Sequence, residues 1–438
     1  MKHTCSIFSV LFILSIPSSV RAQSHDLIGY WQNWNDVSAP YIQLDQVDPR
    51  YPVIEVAFAE PVVGSTSNMQ FAPAEVSQAT LIAQMQTLQA AGKKVLISIG
   101  GANATVQLNN DAHRDEFINS TLAILNTFGF DGMDLDLEGA SVSITGGTIA
   151  MPIDQSIVRL IAAVNSIATQ YETLHGHHMM LTMAPETAFV QGGQSAFGGI
   201  WGAYLPLIDA LRDRLDILQV QLYNSGSMYG IDGGIYDQAT ADFIVSQTEA
   251  VIHGFDTGGG HFDGLPPEKV AVALPACMAA AGGGYTLPTV VTAAIDYLRG
   301  DGPQPGSYTS VGTYPALRGL MTWSINWDAV STCNATSYEY AQNYENIFGI
   351  STGIGGASNS SPLLIWPSPA HVGEEIHFNT GLAGYQIRII DTSGRLIMTS
   401  MIDRDGVVRL PQVCEGVYVI RIDRLNGGSA SAWLSVRN

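Results

Sequence analysis

Eight short apolar runs along residues 26–324 constrain this chain more than any other feature. They are Asp26–Trp31, Tyr51–Ala59, Lys94–Ile99, Gly132–Glu138, His178–Met183, Ile217–Leu222, Val270–Leu274 and Gly319–Ser324. Each is nearly continuous in apolar residues, as a strand covered on both faces must be. Helical spacing lies between several of them. Ala74–Ala91 carries Leu81, Ile82, Met85 and Leu88, and Gln155–Tyr171 carries Ile157, Leu160, Ile161, Val164 and Ile167. Eight strand–helix units in about 330 residues predict an α/β fold of the TIM (β/α)8 barrel type. A doubly wound open sheet is the alternative. It would usually carry a phosphate-binding glycine loop after the first strand, and no G-x-G-x-x-G or P-loop stands there. Gly258–Gly260 and Gly282–Gly284 lack a following Lys-Ser/Thr and read as flexible surface loops.

The 438 residues suffice for a large domain and a smaller one. Residues 1–22 read as a secretory signal: Lys2 and His3 supply the charged start, Ile7–Ile16 is mostly apolar, and Val20-Arg21-Ala22 offers a cleavage site. No later stretch reaches about 18 apolar residues, so the mature protein is expected to be secreted and to have no membrane span. The net charge of −20 disfavours nucleic acid and anionic membranes, which want basic patches. It is silent on a neutral polysaccharide. Of four cysteines, Cys5 leaves with the signal; Cys277 and Cys333 both fall just past strand ends and are the pair expected if a bridge forms, leaving Cys414 over. No C-x-x-C spacing exists, so no zinc site, and no other metal or cofactor, is expected.

The run Phe130–Gly139 is chemically unlike the others. It holds Asp131, Asp134, Asp136 and Glu138, in a chain whose charged content is only 13%. Asp134, Asp136 and Glu138 alternate with Met133, Leu135 and Leu137, which places three carboxylates on one face of a strand. Same-face neighbours lie roughly 6.6 Å apart. Like charges and partial burial should push at least one of their pKa values up. Glu138, at the strand end beside Gly139, is positioned as a general acid. Asp131 has the other parity and reads as structural. A calcium site and a solvated acidic strand are the bland alternatives; the Ca²⁺-loop pattern is not matched.

In a barrel of this type chemistry sits at the C-terminal ends of the strands. Those ends carry Tyr30, Trp31 and Trp34, then Phe58, then Ser98–Gly101, Met183–Glu186, Gln219–Asn224 and Met321–Asp328. Aromatic residues at most ends of one rim favour a cleft for sugars, whose flat apolar faces stack on rings while their hydroxyls need fixed polar groups.

The stretch D-G-x-D-x-D-x-E at 131–138 closely resembles the signature of the family 18 glycoside hydrolases, the chitinase family. Ser98–Gly101 is similar to the family's S-x-G-G, Met183–Glu186 to its M-A-P-E and Gln221–Asn224 to its Q-x-Y-N. Trp323 resembles the tryptophan under the scissile sugar. The likeness covers about residues 25–350. It implies hydrolysis of β-1,4-linked N-acetylglucosamine polymers with the substrate's own acetamido group as nucleophile. Glu138 would be the general acid, Asp136 would hold the acetamido N–H, Asp134 would orient Asp136, and Tyr223 would bind the acetamido oxygen. Tyr30, Phe58, Met183, Gln221, Asn224 and Trp323 would bind substrate. An endo-β-N-acetylglucosaminidase acting on N-glycans and a non-catalytic glycan-binding protein are the competing readings. The intact Glu138 argues against the second.

Residues 23–350 are thus expected to form the catalytic barrel and 351–362 a linker. Residues 363–438 show short alternating runs with turn signals, the pattern of a small β-sandwich. Trp366–Ala370, Asp391–Arg395 and Gly416–Tyr418 resemble the C-terminal sorting domain of type IX secretion, which would make secretion machinery a partner. A carbohydrate-binding module is the alternative; it lacks an exposed aromatic stripe. His175, His177 and His178 have no carboxylate motif after them and read as a solvated turn.

Overall fold

The computed structural model describes residues 25–349 and, further on, 365–366, 370–378, 386–391, 395–404, 406–411, 413–423 and 429–437. The expected signal and linker lie outside these residues, as do 367–369 and 392–394 of the sorting-like motifs. The chain divides into two compact units, Met1–Gly355 and Gly356–Asn438.

The first unit is a barrel of eight parallel strands: β1 (Asp26–Gln32), β2 (Val53–Pro61), β3 (Lys94–Gly100), β4 (Gly132–Asp136), β5 (Met180–Met183), β6 (Ile217–Leu218), β7 (Ala271–Pro275) and β8 (Gly319–Trp323). Their order around the sheet is β7-β8-β1-β2-β3-β4-β5-β6. Bridges Leu218–Val270 and Gln221–Ala273 join the last strand to the first. Every expected run supplies a strand. β6 is shorter than the run Ile217–Leu222; beyond Leu218 the chain keeps only isolated bridges, at Gln221 to Glu186 and Ala273.

Alternation along each strand sorts the core into two layers. Outward residues such as Ile54, Val56, Ile97, Met133, Leu135 and Leu181 pack against the helices. Inward residues such as Ile28, Tyr30, Val53, Ala57, Leu96, Met180 and Met321 fill the barrel. The helices longer than four residues are α1 (Gln78–Ala90), α2 (Asp111–Phe128), α3 (Gln155–His175), α4 (Leu205–Ala210), α5 (Ala241–His253), α6 (Pro288–Arg299) and α7 (Glu339–Phe348). α1 starts four residues later than its apolar pattern, because the Ser77 side chain accepts from Thr80 N and caps it there. α3 runs four residues further than expected, to Gly176 in the left-handed region (φ 72°). At its end the turn is exposed, and the His178 ring nitrogens lie 3.1 Å from Glu172 Oε1 and 2.9 Å from Asp216 Oδ2. The glycine runs are also not free loops: Gly258 and Gly259 pack on the Phe197 side chain, and Gly284 lies against Tyr223.

Cys277, after β7, and Cys333, after β8, form a disulfide with Cα atoms 5.9 Å apart; Cys414 is free and exposed. The bridge closes a loop of sequence separation 56. On loop entropy alone it contributes about 4 kcal/mol. Cys277→Ser together with Cys333→Ser should lower the thermal midpoint, and reductant should lower that of the parent and leave the double variant unmoved. A parent insensitive to reductant would refute this contribution.

The second unit is a small β-sandwich. One sheet holds Ile365–Trp366, Glu375–Phe378 and Val407–Arg409; the other holds Ala370–His371, Ser429–Arg437, Gly416–Asp423, Gln386–Asp391 and Leu396–Met401. Ile376, Phe378 and Val408 of the first meet Ile387, Ile389, Ile420 and Leu434 of the second in one core. Among the described residues no helix is long and apolar enough to cross a membrane.

Candidate active site

The parity of β4 sends Asp134 and Asp136 into the barrel and Met133 and Leu135 out of it. Register then decides what each acid meets. Asp134 stands level with Ser98 of β3 and Thr182 of β5. Its Oδ2 accepts from the Tyr30 hydroxyl at 2.6 Å and from Ser98 Oγ at 2.7 Å, and its Oδ1 lies 2.8 Å from Thr182 Oγ1. Asp136 is one step nearer the mouth. Gln221 Nε2 lies 2.9 Å from Asp136 Oδ1, 3.0 Å from Glu138 Oε1 and 2.9 Å from the Ala184 carbonyl.

The strand ends at Asp136, so the expectation of three acids on one continuous strand is corrected. Tyr204, on the turn before α4, donates its hydroxyl to Leu135 O at 3.3 Å and takes the Leu137 N–H at 2.8 Å. That N–H is lost to the ladder. Glu138 instead stands on the loop that follows, half-buried at the cleft wall. Burial first, then the Glu138 charge and Asp134, push the Asp136 carboxyl well above the ordinary range. Asp134 is raised by burial against three hydroxyl donors that favour its anion. Glu186 is raised by burial and by Glu138, and accepts the Gly139 N–H.

A cleft of about 660 Å³ opens above these groups, lined by Asp136, Glu138, Gln221, Tyr223 and Asn224 on the polar side and by Trp34, Phe58, Phe71 and Trp323 on the aromatic side. Phe58 and Trp323 stack with centroids 5.7 Å apart and planes 11° apart. The Ala57–Phe58 and Trp323–Ser324 peptide bonds are cis. Gly101 (φ 85°) sits beneath Phe58: an added Cβ would come within 2.8 Å of that ring. Only glycine accepts both the backbone angle and the contact. Asn224, at the exposed mouth, takes the Gly283 N–H on Oδ1 and gives its own N–H to Gly283 O.

Eight of the ten sequence-derived residues converge: Asp134, Asp136 and Glu138 with Tyr223, Gln221, Asn224, Phe58 and Trp323. Two expected to bind substrate do not line the cleft. Met183 is fully buried in the layer between barrel and helices, because it has the opposite parity to Thr182. Tyr30 is buried below Trp323 (ring centroids 5.5 Å apart), with its hydroxyl committed to Asp134. Asp131 lies at the other end of β4, on Lys94 Nζ and the Val95 N–H.

Four groups at the site had no role assigned from the sequence: Glu55, Thr182, Gln219 and Tyr204, all buried. Glu55 had a signal, a lone acid inside the apolar run Val53–Phe58 at the inward parity of Val53 and Ala57. Gln219 had one too, alternating with Gln221 and Tyr223. Thr182 and Tyr204 had none.

A sequence model described as glycosyl hydrolases family 18 matches residues 26–299. Chitinase Chi52 of Paenibacillus xylanexedens is 45% identical over 311 residues, covering 69% of this chain and 58% of that protein. Chitinase D of Niallia circulans is 44% identical over 311 residues with the same shares. The chain therefore spans little more than half the length of these relatives. A crystal structure of a family GH18 chitinase from Chromobacterium violaceum has a TM-score of 0.65 and 37% identity, covering 74% of this chain and 83% of that one.

Proposed function

The chain belongs to the glycosyl hydrolases of family 18, and from that premise we propose that it is a chitinase, cleaving β-1,4-linked N-acetylglucosamine with retention. One observation carries the mechanism: a single amide nitrogen of Gln221 reaches both Asp136 and Glu138. The two carboxyls share one wall of the cleft, so neither can act from the far face of the sugar. Retention without a carboxylate nucleophile is the substrate-assisted case.

Glu138 gives its proton to the glycosidic oxygen as the bond to the anomeric carbon breaks. The acetamido carbonyl oxygen closes onto that carbon, forming an oxazolinium ion. Asp136 takes a hydrogen bond from the acetamido N–H and offsets the developing positive charge. Tyr223 donates to the acetamido oxygen and steers it. Water, deprotonated by Glu138, then opens the ring from the face the leaving sugar vacated, restoring the β configuration and the proton on Glu138. Trp323, stacked on Phe58, floors the sugar ring, and Gln221 and Asn224 meet its polar edge. Asp134 fixes the charge beside Asp136. The names of the relatives support chitin as the polymer. The charged start and apolar run of residues 1–22 support export, and the 363–438 motifs support recognition by a secretion system.

Products of a chitin tetrasaccharide, followed by proton NMR from the first minutes, test the reaction. Newly formed β-anomer is expected. Newly formed α-anomer would overturn substrate assistance, since inversion needs a base on the opposite face. Binding without cleavage would favour an N-glycan substrate or a binding protein.

A further inference from the structure

The barrel holds a further carboxyl that the reaction above does not use. Glu55 on β2 is fully buried. Both its oxygens lie 2.7 Å from Gln219 Nε2, and its Oε1 lies 2.8 Å from Thr182 Oγ1. The same threonine oxygen lies 2.8 Å from Asp134 Oδ1. A threonine hydroxyl has one proton to give. If it donates to one carboxyl, it must accept from the other, and a carboxyl that donates is a neutral acid. One of Glu55 and Asp134 therefore carries a proton.

Donor count decides which. Asp134 also accepts the Tyr30 and Ser98 hydroxyls, while Glu55 has only the Gln219 amide besides the shared threonine. Negative charge settles on the carboxylate with more donors. The titratable groups around Glu55 are Asp134 and Asp136 of β4, Tyr30 of β1 and Tyr223, and among the described residues no Lys, Arg or His offsets its charge. Burial, then Asp134, raise its carboxyl well above the usual range.

We propose that Glu55 is a positioning residue, held as a neutral acid that donates to Thr182 and so fixes the threonine hydroxyl on Asp134. The proposal rests on the substrate-assisted reading above and deepens it. With Glu55 neutral, Asp136 faces one negative charge from beneath instead of two. It can then stand as the anion that accepts the acetamido N–H when the oxazolinium charge develops. An ionised Glu55 would oppose that step.

Infrared difference spectra between the parent and Glu55→Gln, with glutamate side chains ¹³C-labelled, read the proton directly. The carbonyl stretch of a protonated glutamic acid is expected at neutral pH and should vanish in the variant; no such band overturns the proposal. Should Glu55→Gln not fold, Thr182→Val removes the acceptor and should move the band to higher frequency, and an unmoved band overturns it. In kinetics, the acidic limb of the kcat/KM profile should stay in place in Glu55→Gln, because one neutral group replaces another. Loss of a charge would move it down by about one pH unit, and that shift overturns the proposal. Glu55→Leu should lose roughly 100-fold in kcat, with Glu55→Gln recovering most of it; equal losses overturn the positioning role. The infrared outcome does not depend on the substrate, so a failure of the chitinase reading leaves it standing.

Discussion

Glu138→Gln is expected to lower kcat on a chitin tetrasaccharide by roughly 10²–10⁴-fold, the worth of a positioned general acid, with the oligosaccharide Kd changed only a few-fold. The amide keeps the size of the carboxyl and its contact with Gln221; it lacks the proton for the leaving oxygen in the first step and the base for the water in the second. The loss should therefore depend on the leaving group. A nitrophenyl chitobioside, whose phenolate departs with little protonation, should release it in the first turnover at a rate much closer to the parental one, while later turnovers stay slow because Glu138 also takes the proton of the attacking water. First-turnover rates on both substrates, with calorimetric binding of the tetrasaccharide, separate the outcomes. Full activity on the tetrasaccharide would remove Glu138 from the acid role, and an equal first-turnover loss on both substrates would point to a structural defect.

Asp136→Asn should fail differently. Its carboxylate accepts the acetamido N–H and lies beside the cation as it forms; an asparagine offers no charge and turns a donor towards that N–H. A loss of roughly 10²–10³-fold is expected, the range for removing one preorganised electrostatic partner of a transition state. An activated leaving group cannot restore it, because the missing interaction is with the oxazolinium ion and not with the departing oxygen. The nitrophenyl and natural substrates should therefore lose rate in about the same proportion. Recovery on the nitrophenyl substrate would show that Asp136 serves proton transfer to the leaving group. Burial and then the Glu138 charge raise Asp136, and Gln221 ties the two together, so this variant should alter the acidic limb of the kcat/KM profile, whereas Asp131→Asn, at the far end of β4 on Lys94, should leave it in place.

The contrast between Asp131 and the other acids was readable in advance because parity is a local property. On a strand, side chains alternate whatever the rest of the fold does. The same rule would have kept Met183 out of the cleft, since Leu181 and Met183 share a face and Thr182 has the other; motif likeness outweighed parity there, and the structure sided with parity. Glu55 was also locally visible, as an acid where two-sided burial calls for apolar residues.

What the sequence determined by itself is whatever short-range pattern encodes: eight strands buried on both faces, the helices between them, and acids at alternate positions of one strand. These follow from periodicity and burial, which need only near neighbours. What the tertiary structure alone decided is convergence. Thr182 meets Glu55 across 127 residues of sequence, Gln221 meets Asp136 across 85, and Cys277 meets Cys333 across 56. Tyr204 ends β4 from 67 residues away by taking the Leu137 N–H. Such contacts depend on the register with which eight strands close into a ring, and a shift of one residue would turn every inward side chain out. No local pattern records that register, so the approach of Glu55 and Asp134 to one Thr182 hydroxyl could be seen only once the barrel was closed.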